Sequence, residues 1–142
     1  RPSVHVGART KARKAALDLL FEADQRGLNA ADLLAARLAA PGPGPVIREY
    51  TATLVSGVVE RWTAINDALT TYSHGWTLDR MPAVDRSVLR LGAYEVLFSH
   101  EVPAAVAIAE AVSLAKDLST ADSASFVNGL LARLDEAKPT LV

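Results

Sequence analysis

Pro82-Ala-Val-Asp-Arg-Ser-Val-Leu-Arg-Leu-Gly-Ala-Tyr-Glu-Val-Leu-Phe-Ser-His100 is the stretch whose reading decides the fold. Proline opens it where a first-turn proline belongs, because that position has no intrahelical acceptor for an N–H. Val84, Val88, Leu89, Leu91, Val96, Leu97 and Phe98 then fall on nearly every side of a helix. A helix that is apolar all round must be enclosed by others, so this one is predicted to be central. The chain has 142 residues, 50% hydrophobic and 22% charged. That is enough for one core, which at this size buries roughly two-thirds of the unfolded surface, and too apolar for a disordered chain.

Working outward, the apolar residues keep helical spacing and never alternate. Ala12, Ala16, Leu19, Leu20 and Ala23 share one face of an opening helix that Gly27 ends with positive φ. Asn29 caps a short second helix, with Asp32 three residues on and Leu33, Leu34 and Leu38 expected inward. The run Pro41-Gly-Pro-Gly-Pro45 is a loop, since proline lacks a donor and restricts its predecessor. Tyr50, Leu54, Val58, Trp62, Ile65, Leu69 and Tyr72 follow a 3.6 period, as one helix or as two restarted at Thr63. Gly57 allows a neighbour to approach, and Gly75 closes the segment. Beyond Pro103, Ile108, Ala111, Val112, Ala115 and Leu118 form a stripe. Ser119 with Asp122 reads as a capping box ahead of Val127, Leu130, Leu131 and Leu134. The expectation is an all-α, compact single-domain bundle of six or seven helices over residues 1–142, with residues 1–8 as a flexible basic arm.

Several function classes fall away. No apolar run approaches the ~20 residues of a membrane span, and no secretory signal opens the chain. Cysteine is absent, which removes thiolate sites and fits a reducing cytoplasm. His5, His74 and His100 are far apart, without a second ligand at helical spacing. There is no phosphate-cradling loop, nucleophile elbow or dinucleotide fingerprint, so no enzyme, metal or cofactor is expected.

Charge is more telling. The net charge of −1 divides into +5 over residues 1–14, where Arg1, Arg9, Lys11, Arg13 and Lys14 stand without an acid. The rest carries −6, from ten bases and sixteen acids. Arg9, Lys11, Arg13 and Lys14 are expected to fan around a helix N-terminus, whose free N–H groups also favour an anion. Charge alone leaves two readings open: a phosphate anchor, or a solvated start. Arg86 and Arg90, a turn apart with Asp85 and Glu95 nearby, read as an ion pair at the edge of the core. Phe126 lies off the centre of the last stripe, as a rim residue or a base-stacking platform, and Phe21 is off-centre on the first helix.

Ala12–Phe21, Val84–Glu95, Val102-Pro103 with Ala107–Lys116, and Phe126-Val-Asn-Gly129 together resemble the NusB family of bacterial transcription antitermination factors. The resemblance implies a non-catalytic, cofactor-free RNA-binding protein. It would pair with the small ribosomal protein NusE on boxA RNA of nascent ribosomal transcripts and act on RNA polymerase. It assigns RNA contact to Arg9, Lys11, Arg13, Lys14 and Phe126, and NusE contact to Phe21 and Asp85. Thr10 departs from the family's arginine run, and Ala109 stands in place of its usual asparagine. Some members of the family form homodimers. Two alternatives differ in class: a helical protein–protein adapter, and the NusB-like domain of a ribosomal RNA cytosine methyltransferase, for whose catalytic domain 142 residues leave no room.

Overall fold

The structure, a computed structural model, describes residues 7–142, so His5 and most of the expected arm lie outside it. Ala8 already belongs to the first helix, which moves the arm's boundary to Gly7. Among the described residues there are seven α-helices, one 3₁₀ turn and no strand. The helices are α1 (Ala8–Arg26), α2 (Ala30–Ala39), α3 (Glu49–Glu60), α4 (Trp62–Tyr72), α5 (Ala83–Leu97), α6 (Ala104–Leu118) and α7 (Ala121–Leu141). The turn, Leu78–Arg80, precedes α5.

Local chemistry accounts for most of the boundaries. Gly27 adopts φ 65°, and Leu28 N–H closes the end of α1 on Ala23 O at 2.8 Å. Asn29 Oδ1 accepts from the amides of Ala31 and Asp32 at the start of α2. Residues 49–72 form two helices rather than one. The break is at Arg61, where φ −107° and ψ 22° leave the helix without glycine, proline or a side-chain cap, and Thr63 lies inside α4. Pro82 stands just ahead of α5, not in its first turn. The cap of α7 is Thr120, whose Oγ1 accepts from Ser123 N at 3.0 Å, a one-way cap in place of the box expected from Ser119 and Asp122.

The central helix is α5, with α1, α3, α4, α6 and α7 packed around it. Val88, Leu89 and Ala93 are fully buried, and Leu54, Ile65, Leu69, Leu130 and Leu134 close over them. Three residues expected inward point out. Leu38 is half exposed in the last turn of α2, where Leu33 and Leu34 make the packing. Leu118 is exposed at the end of α6. Trp62 turns its ring onto the Arg90 guanidinium, 4.3 Å from its centroid. Periodicity identifies a face but not whether a neighbour reaches far enough to cover it.

Arg86 and Arg90 pair with other groups than expected. Arg86 donates to Asp24 of α1 at 2.6 and 3.2 Å, and Arg90 donates to Asn66 of α4 at 2.9 Å. These bonds tie α1 and α4 to one flank of α5.

Close helix approach depends on small residues at two points. A Cβ on Gly57 would lie 2.3 Å from the Tyr94 ring, and one on Gly92 would lie 2.7 Å from Leu131 Cδ1. Glycine costs a helix about 1 kcal/mol relative to alanine, and here close packing offsets that cost. Gly57→Ala is expected to destabilise the fold by about 1–3 kcal/mol through overpacking. In urea this reads as a lower midpoint with an unchanged slope, and an unchanged midpoint would show that Tyr94 yields freely.

Candidate nucleic-acid interface

Helix α1 is capped by Gly7 without a side-chain hydrogen bond and has no acid of its own in the first turn, while the Thr10 hydroxyl there donates to Glu110 of α6 at 2.8 Å. The four cations of its first turns do not fan out as expected. Arg9 is exposed, stacks on the Tyr50 ring at 4.4 Å, and donates to the side chain and carbonyl of Glu101 at 2.9 and 3.2 Å. Lys11 is exposed and pairs with no described acid. Lys14 is exposed and reaches both oxygens of Asp18 at 2.9 Å, one turn along the same helix.

Arg13 points the other way. Only 3% exposed, it places Nε and Nη2 on the two carboxylate oxygens of Glu95 at 2.8 and 3.0 Å. Its Nη1 reaches Glu110 of α6 at 3.3 Å, and Tyr50 of α3 donates its hydroxyl to Glu95. Burial lowers the Arg13 pKa, but the hydrogen bond and charge of Glu95 outweigh it, and the net shift is upward. Burial, with the bond and charge of Glu95, likewise raises the Tyr50 phenol. Arg13 is thus a structural cation, and the surface it was expected to furnish consists of Arg9, Lys11 and Lys14. Exposed pairs such as Arg9–Glu101 and Lys14–Asp18 are worth about 0–1 kcal/mol each, so both cations can exchange a carboxylate for a phosphate at little cost.

The other expected residues gather near the opposite end of α5. Arg13 meets Glu95, whereas Ser123 of α7 donates to Asp85 at 2.6 Å, ten residues earlier on α5. That separation is about 15 Å along the helix axis. Phe126, one turn after Ser123, is half buried and meets Trp76 edge to face at 4.8 Å and 74°. Phe21 is partly buried just under one turn before Asp24, the partner of Arg86, and so lies toward the Asp85 end of α5.

Asp85 itself is fully buried. It lies in the first turn of α5, where the helix dipole favours an anion, and holds α7 through Ser123. Its charge is therefore not displayed to a partner, which corrects the expectation of a surface acid. Sequence reasoning also missed Tyr50, Glu101, Glu110 and Trp76. Each is remote in sequence from the residue it serves, and the only local signal was a tryptophan left in a loop behind Gly75.

The described residues form a helical bundle with exposed cations near one helix N-terminus, an arrangement suited to an anionic partner. Residues 10–136 match the NusB family. The transcription antitermination protein NusB of Nocardioides sp. is 55% identical over 136 residues, covering 96% of this chain and 99% of its own length. That of Saccharopolyspora erythraea is 57% identical over 130 residues, 91% of this chain and 87% of its own. Among solved structures, T. maritima NusB superposes with a TM-score of 0.79 at 32% identity, over 93% of both chains. A chain in the crystal structure of antitermination factors NusB and NusE in complex with dsRNA matches at 0.75 and 28%, over 91% of this chain and 96% of its own. The chain belongs to the NusB family of transcription antitermination proteins, which are non-catalytic and bind RNA. The relatives matched over nearly their full length carry the antitermination name and not that of a methyltransferase.

Glu95→Gln leaves the Arg13 guanidinium buried without a counter-charge. Breaking such a pair from one side costs about 3–5 kcal/mol, and the loss should persist at high salt because the site is closed to counterions. Urea unfolding at low and high ionic strength checks this, and a loss that salt abolishes would place the pair at the surface.

Proposed function

We propose that this protein binds boxA RNA of nascent ribosomal RNA transcripts together with NusE, and so acts on elongating RNA polymerase in the cytoplasm. The observation that carries the reading is the exposed set Arg9, Lys11 and Lys14 near a helix N-terminus without a side-chain cap, of which Arg9 and Lys14 meet acids only in exchangeable surface pairs. A single strand neutralised there gains affinity by releasing counterions. The relative crystallised with NusE and dsRNA supports both partners. Phe126 extends the RNA surface, and Phe21 is the apolar anchor for NusE. Arg13 and Asp85 act from within, by fixing the helices that carry these residues. No described helix is long and apolar enough to cross a membrane, which agrees with a cytoplasmic site of action.

Reversing Arg9, Lys11 and Lys14 to glutamate is expected to abolish RNA binding while the helical signal is retained. Each lost phosphate contact lowers the slope of log affinity against log salt by about 0.7, so single reversals give a graded series. Slopes unchanged from wild type would remove this helix end as the anchor.

Phe21→Ala is expected to weaken NusE binding roughly tenfold or more, as truncation of an interface anchor does, with RNA binding by the protein alone unaltered. Calorimetric titration of NusE decides it, and wild-type affinity would place the docking surface elsewhere.

A further inference from the structure

Three glycines lie inside helices, Gly57 in α3, Gly92 in α5 and Gly129 in α7. The first two are required by neighbours that leave no space for a methyl group. Gly129 is different. A Cβ there would meet only the Arg133 guanidinium, with Nη1 at 3.4 Å, an ordinary contact with the end of a flexible side chain. An interior glycine weakens a helix, and the packing of the bundle does not call for one at this position. The result is bare backbone, part-exposed, in the middle of α7.

What flanks the gap is chemically specific. Just under one turn before it stands Phe126, with Trp76 edge to face against it. One turn after it stands Arg133, whose Nε donates to Tyr72 O at 3.0 Å and so fixes the guanidinium over the helix. No described acid pairs with Arg133, so the rest of its fork is available to an anion. Two aromatic rings, an open backbone and an anchored guanidinium thus follow one another along a single strip.

We propose that this notch is a nucleotide subsite for single-stranded RNA. A base lies against the Phe126–Trp76 pair, the sugar crosses α7 at Gly129, and Arg133 takes the adjoining phosphate. Stacking on aromatic rings serves any base, and a planar guanidinium matches phosphate oxygens. A duplex would keep its bases stacked inside, out of reach of the rings. The inference rests on the RNA-binding reading and adds to it Trp76, Gly129 and Arg133.

Gly129→Ala gives the cleanest test, because the methyl that obstructs the notch also favours the helix. The melting temperature should equal or exceed that of wild type. RNA affinity should fall by about fivefold or more, the lower bound for losing one stacked base, with an unchanged salt slope. Arg133→Gln should weaken binding and lower the slope by about 0.7. In a Trp62→Phe background the remaining indole, Trp76, should be quenched by RNA. Native RNA affinity in Gly129→Ala, or Trp76 emission unmoved by RNA, overturns the subsite while leaving the Arg9–Lys11–Lys14 anchor to stand or fall on its own reversals. Failure of wild-type protein to bind RNA defeats the RNA reading and the subsite with it. A loss of NusE binding with RNA affinity intact assigns the notch to the protein partner and equally overturns the proposal.

Discussion

Glu95 carries a negative charge in the middle of the bundle, and the positions of four helices depend on how that charge is met. Arg13 of α1 forks onto both its oxygens, Tyr50 of α3 donates its hydroxyl, and Glu110 of α6 takes the remaining arm of Arg13. A buried ion pair adds little net stability over apolar residues of the same volume, because desolvating both charges consumes most of the attraction. Its consequence here is register. A shift of α1 by one residue along or around its axis would strand an arginine and a glutamate out of water. The outward direction of Lys11 and Lys14 therefore follows from the inward direction of Arg13 on the same turns. Arg9 rests on the Tyr50 ring that the same network holds.

The far end of α5 repeats the device with different groups. Asp85 accepts from Ser123, whose backbone N–H is capped by Thr120, and this pins the start of α7. Asp24 receives Arg86 and pins the end of α1. Phe126 and Phe21 thus stand on helices that are each anchored within a turn of them. The residues proposed for binding are displayed by α1 and α7, but the core charges of α5 set their positions.

Much of this was legible in the sequence, and the divide follows range. Helix existence, the central place of Val84–Leu97, the αL end at Gly27 and the Asn29 cap are local properties, written in spacing and turn chemistry. The break at Arg61 was not legible, since neither glycine nor proline marks it. The roles of Arg13 and Asp85 were misread for a different reason. Their partners lie 82 and 38 residues away, and a basic or acidic residue near a helix end looks the same in sequence whether it faces water or a buried counter-charge. Leu38 and Leu118 fit their stripes, but a stripe does not reveal where the covering helix stops. Gly129 was visible as a letter in a motif, and only the space around it separates it from Gly57 and Gly92.

The central claim is that neighbouring arginines on one helix have opposite duties, Arg13 to the fold and Arg9 to RNA. The side-chain Nε–H resonances of the two, followed by NMR through a titration with single-stranded RNA, test it most directly. The Arg13 signal should exchange slowly with water and stay in place as RNA is added, while the Arg9 signal shifts as Glu101 is exchanged for phosphate. An Arg13 signal that exchanges rapidly, or that moves with RNA as far as that of Arg9, would contradict it.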